Sequence, residues 1–156
     1  TFPNWLPRFA PVAKLPYLSE VAQIEQARRE AYHASDRTPF DTETLANMPP
    51  EALDDLRLDV HPSVRILTTR HPALAIWAQN ASAEHLVQAP AGEVLITRPA
   101  WTFVMSHVPD GTAQSLRALG NGSTLAEALS DTADAPSMLA VLFSAGALTE
   151  RIPKHV

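Results

Sequence analysis

The chain has 156 residues, 46% of them hydrophobic, enough to bury one sizeable core or two small ones sharing an interface, which argues against wholesale disorder. Seventeen acidic residues against twelve basic ones give a formal charge of −5, the wrong sign for a free-standing nucleic-acid binder that must release counterions from phosphates. The lack of cysteine excludes disulfides, thiolate metal sites, iron–sulfur clusters and cysteine nucleophiles and is compatible with a reducing compartment; no run approaches the roughly 20 apolar residues of a membrane-spanning helix.

The fourteen prolines fall between elements. Residues 3–10 predict a short amphipathic turn or helix with Trp5, Leu6 and Phe9 on one side. From Tyr17 to about Ala34, Leu18, Val21, Ile24 and Ala31 recur at the helical period while Glu20, Gln23, Arg28, Arg29 and Glu30 fill the other face. Two short connective helical turns follow, Thr42–Asn47 and Pro50–Leu56, the second with proline at its first position. Strict alternation over Leu56–Val60, a break at His61-Pro62-Ser63 and its resumption over Val64–Thr68 predict a bent strand or two paired strands. A short helix over Ala73–Ala78 ends near Asn80, and residues 81–91 read as linker.

Glu93–Thr97 and Trp101–His107 predict a hairpin joined through Arg98-Pro99-Ala100, with proline at the first central position of a tight turn. Three helices come next: about 110–119, closed by Gly120-Asn121-Gly122; about 124–131, capped by Ser123 or Thr124 with Glu127 placed for a capping box; and about 136–145, closed by Gly146. Leu148–Ile152 returns as an edge strand. The expected fold is α+β: a helical part over 1–55, a strand and short-helix connector over 56–90, and over 91–156 a winged-helix-like unit of β-hairpin plus three helices.

Chemistry-bearing patterns are sparse. The histidines (His33, His61, His71, His85, His107 and His155) show no paired metal-ligand spacing, and His61, before a proline at a strand break, can bond neighbouring backbone. There is no glycine-rich phosphate loop, Ser144 lacks the strand-then-turn setting of a nucleophile elbow, and the carboxylates at Glu25, Glu30, Asp54 and Asp55 look like solvated faces. No catalytic residue, metal site or cofactor is assigned. Hairpin plus three helices invites a DNA-reading interpretation, but the third helix, Pro136–Ala145, has no Arg, Lys, Asn or Gln to touch bases or phosphates. On the hairpin, Trp101, Phe103 and Met105 alternate with Thr102, Val104 and Ser106, so one side can line the core while the other side or the edge captures a peptide by strand addition.

Two stretches carry a family resemblance. Leu15-Pro16-Tyr17-Leu18-Ser19-Glu20-Val21-Ala22-Gln23-Ile24-Glu25, followed by Ala31-Tyr32-His33-Ala34, and His61-Pro62-Ser63-Val64-Arg65-Ile66-Leu67 running to His71-Pro72-Ala73-Leu74-Ala75-Ile76-Trp77 resemble the HvfC/BufC family, whose members are often catalogued as carrying a DNA-binding domain. His71 stands where that family often has an aromatic residue, so no role is carried to it. Members usually have a further helical domain upstream, and the start at Thr1 fits the expectation that such a segment precedes this chain. The resemblance implies a non-catalytic accessory partner, in a heterodimer, of a TIM-barrel multinuclear-iron oxidase that modifies cysteines in a ribosomally made precursor peptide, as in methanobactin and bufferin pathways. Residues 109–148, from Pro109-Asp110-Gly111 through Thr124–Leu129 to Leu142–Leu148, resemble the helical half of PqqD-type peptide-recognition domains.

The expected function is thus a cytoplasmic protein-binding module that presents a precursor peptide to an iron oxidase, with a DNA-binding transcription regulator as the alternative. Expected peptide contacts are Trp101, Phe103, Met105 and His107 on the hairpin with Leu139 and Phe143 on the adjoining helix. His61, Arg65, Arg70 and Trp77 form a second set expected to face the partner enzyme.

Overall fold

The structure is a computed structural model that describes residues 2–8, 12 and 14–152. In chain order the elements are α1 (Phe2–Trp5), α2 (Leu18–His33), α3 (Thr42–Ala46), α4 (Pro50–Asp54), β1 (Leu58–Val60), β2 (Arg65–Thr69), α5 (Ala73–Asn80), β3 (Gly92–Thr97), β4 (Val104–Val108), α6 (Thr112–Gly120), α7 (Leu125–Leu129), α8 (Ala135–Ser144) and β5 (Leu148–Glu150). The protein is α+β, about 49% helical and 16% strand, with small antiparallel sheets. No helix among the described residues is long and apolar enough to cross a membrane.

The helical period of α2 survives because tertiary packing rewards it: Ile24, Ala27 and Ala31 are buried in a cluster with Leu74, Trp77 and Ala78 of α5. The capping box of α7 is present as the Thr124 and Glu127 spacing requires, with Glu127 N donating to Thr124 Oγ1 at 3.2 Å and Thr124 N to Glu127 Oε2 at 2.8 Å. At the end of α8 the chain reverses through Gly146 at φ 61°, where a Cβ would lie 2.7 Å from the Cβ of Pro99. Both the backbone angle and the close approach require glycine there.

The strands around the His61 break do not pair with each other. β1 pairs with β5, Leu58 opposite Glu150, and β2 pairs with β3, Arg65 opposite Ile96. The segment expected to be a connector therefore supplies one strand to each sheet, and β2–β3–β4 form a three-stranded sheet with β3 in the centre. Alternation assigns its faces. Val94, Ile96 and Met105 pack under α2 and α5, whereas Leu95, Val104 and Val108 join the cluster built by α6, α7 and α8. Glu93 ties sheet to helix by accepting from the backbone N–H of Ala113 at 2.8 Å and of Gly111 at 3.3 Å at the start of α6.

At the amino end Leu6 is buried and Trp5 is about half exposed, whereas Phe9 and His155 lie outside the described residues.

The break itself is a buried polar knot. His61, 1% exposed, takes the Ser63 N–H (3.1 Å) and hydroxyl (2.8 Å) on Nδ1 and donates from Nε2 to the Arg37 carbonyl at 2.9 Å. A ring held between a donor and an acceptor is pinned in one neutral tautomer. His61→Ala leaves the Ser63 amide and the Arg37 carbonyl without partners, so urea unfolding is expected to show a loss of about 2–4 kcal/mol. A loss below about 1 kcal/mol would remove the knot from the list of stabilising features.

Candidate functional site

The hairpin sheet has two margins. β2 runs beside α1 and α2, where Pro3, Gln26 and Glu30 line a groove with Arg65 and Leu67. β4 pairs only with β3, Glu93 opposite Val108 through Thr97 opposite Val104, and no described backbone group bonds its outer side. Every second amide and carbonyl of an antiparallel edge strand points away from its neighbour, so β4 offers a short row of main-chain donors and acceptors.

The residues expected to contact a peptide do not share one surface. β4 begins at Val104, so Trp101 is not on the strand; it sits in the turn before it, 72% exposed. Met105, at 8% exposure, fills the core beneath α2 and α5 and cannot meet a guest, because the N-terminal helices cover the face that the sequence left open. Phe103 is half-buried and flanks the edge, and His107 lies across from Val94. Leu139 and Phe143 pack against the C-terminal cluster, with the Phe143 ring 6.2 Å from that of Phe40.

In the second set, His61 and Trp77 are inside the protein and present no surface to an enzyme: His61 is held by the knot above, and the Trp77 indole donates to Glu25 under α2. Arg65 is half-buried, bonded to Glu30 Oε2 at 3.0 Å and to the Pro62 and Val64 carbonyls. Arg70 is exposed, and its backbone N–H, like that of His71, is held by the Glu20 carboxylate.

Two arginines that sequence reasoning passed over organise the hairpin end of β4. Arg98, 1% exposed, donates from Nε to the Ala31 carbonyl (3.0 Å) and from Nη2 to the Ala34 carbonyl (2.9 Å), capping the end of α2, while its backbone N–H reaches Ser63 Oγ at 2.8 Å. Its guanidinium lies 4.4 Å from the Trp101 ring centre and 5.9 Å from that of Tyr32. Arg28 of α2 stacks 5.0 Å from both Trp77 and Phe103. A groove of about 310 Å³ opens between α2 and the hairpin, lined by Glu25, Arg28, Arg29, Tyr32 and Phe103.

The turn differs from the expected proline-led form. Thr102 N donates to the Pro99 carbonyl, so Pro99 is the first residue of the turn, and the central Ala100 and Trp101 stand at φ 48° and 66°. Positive φ at both positions is the pattern that asparagine and glycine usually fill. Pro99 packs closely on the backbone of Gly146 at this point. The available sequence signal was the pair Arg98-Pro99 ending an apolar strand, but nothing local shows that the cation turns inward.

No nucleophile emerges among the described residues. Ser63 Oγ, His61 and Asp36 follow one another, with Nε2 3.7 Å from Asp36 Oδ1, but the Ser63 side chain is fully buried and its oxygen already accepts from Arg98, so no substrate reaches it. No group of three or more His, Asp and Glu among the described residues could hold a metal ion. Hydrogen bonds from Gln26 and then from Arg65 hold the Glu30 carboxyl below its ordinary value. No protein family matches the chain, and neither a curated protein nor a solved structure is similar to it.

Two predictions follow from this geometry. Ala100→Val is expected to lower stability by about 1–2 kcal/mol, and Ala100→Gly to hold or raise it, because any Cβ is strained at φ 48°, a β-branched one more so, and glycine has none; equal thermal melts for the two would contradict the turn. The depressed Glu30 carboxyl stabilises the fold above its unfolded-state pKa, and that contribution is lost as pH falls through its folded-state pKa. Glu30→Gln should therefore flatten the acid limb of a stability-against-pH curve and leave the alkaline limb unchanged.

Proposed function

We propose that the chain is a non-catalytic, cytoplasmic accessory subunit that forms a heterodimer with a TIM-barrel multinuclear-iron oxidase and presents a ribosomally made precursor peptide to it for cysteine modification. The peptide lies as an added strand on β4. The observation that carries this reading is the outer side of β4, unbonded among the described residues in a sheet whose two faces are both covered by helices. A sheet in that condition can still recognise a partner through its edge, where main-chain bonds give affinity and flanking side chains give specificity. The resemblance of Leu15–Ala34 and His61–Trp77 to the HvfC/BufC family supports the choice of partner. Iron and oxygen chemistry belong to the oxidase in this reading.

A DNA-binding role has little to stand on. Across α6, α7 and α8 the sole cation is Arg117, and a duplex-reading helix without cations cannot grip phosphates.

Co-expression of the tagged chain with a TIM-barrel multinuclear-iron oxidase is expected to yield a one-to-one complex whose yield changes little between low and high salt. Absence of that complex, together with duplex-DNA affinity that collapses steeply as salt rises, would overturn the reading in favour of a regulator.

A further inference from the structure

β1 and β5 pair antiparallel, Leu58 opposite Glu150 and Val60 opposite Leu148. Carrying that register one residue outward sets Arg57 opposite Arg151 at the open end of the ladder. Residues directly opposite in an antiparallel pair put their side chains on the same face, about 5 Å apart at Cβ, where two like charges repel. The small sheet therefore ends in a cation pair at a place where cross-strand pairing favours opposite charges.

The two side chains converge instead of splaying apart. Both guanidiniums donate to one acceptor, the Gly122 carbonyl in the turn after α6: Arg57 from Nη1, and Arg151 from Nη1 at 3.3 Å. Gly122 stands at φ 97°, and a Cβ there would lie 2.9 Å from Nη2 and 3.0 Å from Nη1 of Arg151, so glycine is what admits the guanidinium to the turn. One cation beside a helix end is an ordinary partner for its last carbonyls. A second on the same oxygen adds repulsion and gains no new acceptor.

Nothing among the described residues balances the pair. Neither guanidinium forms an ion pair with a described Asp or Glu. Asp59, two residues from Arg57 along β1, is already engaged: it pairs with Arg37 at 3.5 Å and accepts the Ile152 N–H at 3.3 Å. Glu127, beyond the same turn, is closed into its capping box with Thr124. The Nε and Nη2 donors of both arginines thus have no described acceptor, and Arg57 is exposed and Arg151 half-buried, so an ion from solution can reach them.

We propose that Arg57 and Arg151 form a site for a compact phosphate-class oxyanion, held between their two forks at the Gly122 turn. Two guanidiniums match a phosphate dianion in charge, and its terminal oxygens serve both forks, whereas one fork already uses both oxygens of a carboxylate. The bound anion turns a repelling pair into a bridged one and ties the end of the β1–β5 ladder to the turn after α6. The site belongs to the small sheet and does not depend on strand capture by β4.

The test is a titration of inorganic phosphate into the full chain at neutral pH, with ionic strength held constant by sodium chloride. Amide signals of Gly122 and Ser123 and the side-chain Nε–H signals of Arg57 and Arg151 are followed. Saturable shifts of all four are expected, with half-saturation at about millimolar phosphate. Affinity is expected to fall about tenfold or more in Arg57→Gln, and about threefold or more in Arg57→Lys, which keeps the charge and loses the fork. Unchanged amide signals elsewhere verify that these surface variants are folded. Methyl phosphate, titrated in parallel, separates the sources: binding equal to that of phosphate assigns the site to a phosphate carried on a larger molecule, and exclusion assigns it to the free ion. Shifts that grow without saturating, binding undiminished in Arg57→Gln, or acetate bound as tightly as phosphate by the native chain would overturn the site.

Discussion

A single buried guanidinium joins the two halves of this protein. Arg98 leaves the end of the central strand, caps the last carbonyls of α2, and through its own backbone N–H reaches the Ser63 hydroxyl, which in turn holds His61. The N-terminal helix, the hairpin and the strand break are thereby fixed relative to one another by hydrogen bonds in a desolvated place, where each is strong and none is easily exchanged for water. The arrangement leaves one donor of the cation unused and no carboxylate beside it.

Helices on both faces of β2–β3–β4 decide where recognition can occur. Once α2 and α5 cover Val94, Ile96 and Met105, and α6 to α8 cover Leu95, Val104 and Val108, the apolar pattern of the hairpin is spent on packing. What remains accessible is backbone at the rim, framed by Phe103 and Tyr32 and by the exposed ring of Trp101. Aromatic and arginine side chains are the types that most often anchor interfaces. In the reading proposed above, the protein binds by completing its own sheet, within a molecule whose net charge is −5.

Much of this was legible in the sequence where the cause is local. The α2 stripe, the Thr124 and Glu127 cap and the Gly146 stop are written in the spacing of residues close in sequence and are found where that spacing puts them. Strand partnership was not legible: Thr149 bonds Asp59 across 90 positions, and nothing near His61 says that the two strands beside it diverge into different sheets. Met105 was misplaced for a related reason, since its face is assigned by helices from the first half of the chain. Trp101 fell in an extended run by pattern, but the turn begins at Pro99, packed against Gly146, and places Ala100 and Trp101 in a conformation that their residue types do not favour. Arg98 was invisible as a site because an arginine after a strand is ordinarily solvated, and only the fold turns it inward.

Amide hydrogen exchange along Val104–Val108 tests the central claim most directly. In the free protein, amides bonded to β3 should exchange slowly and the intervening ones quickly, and a peptide selected on the protein should slow the quick set without changing the slow one. Uniform protection of all five residues before any peptide is added, or a bound peptide that leaves the quick amides quick, would contradict the account.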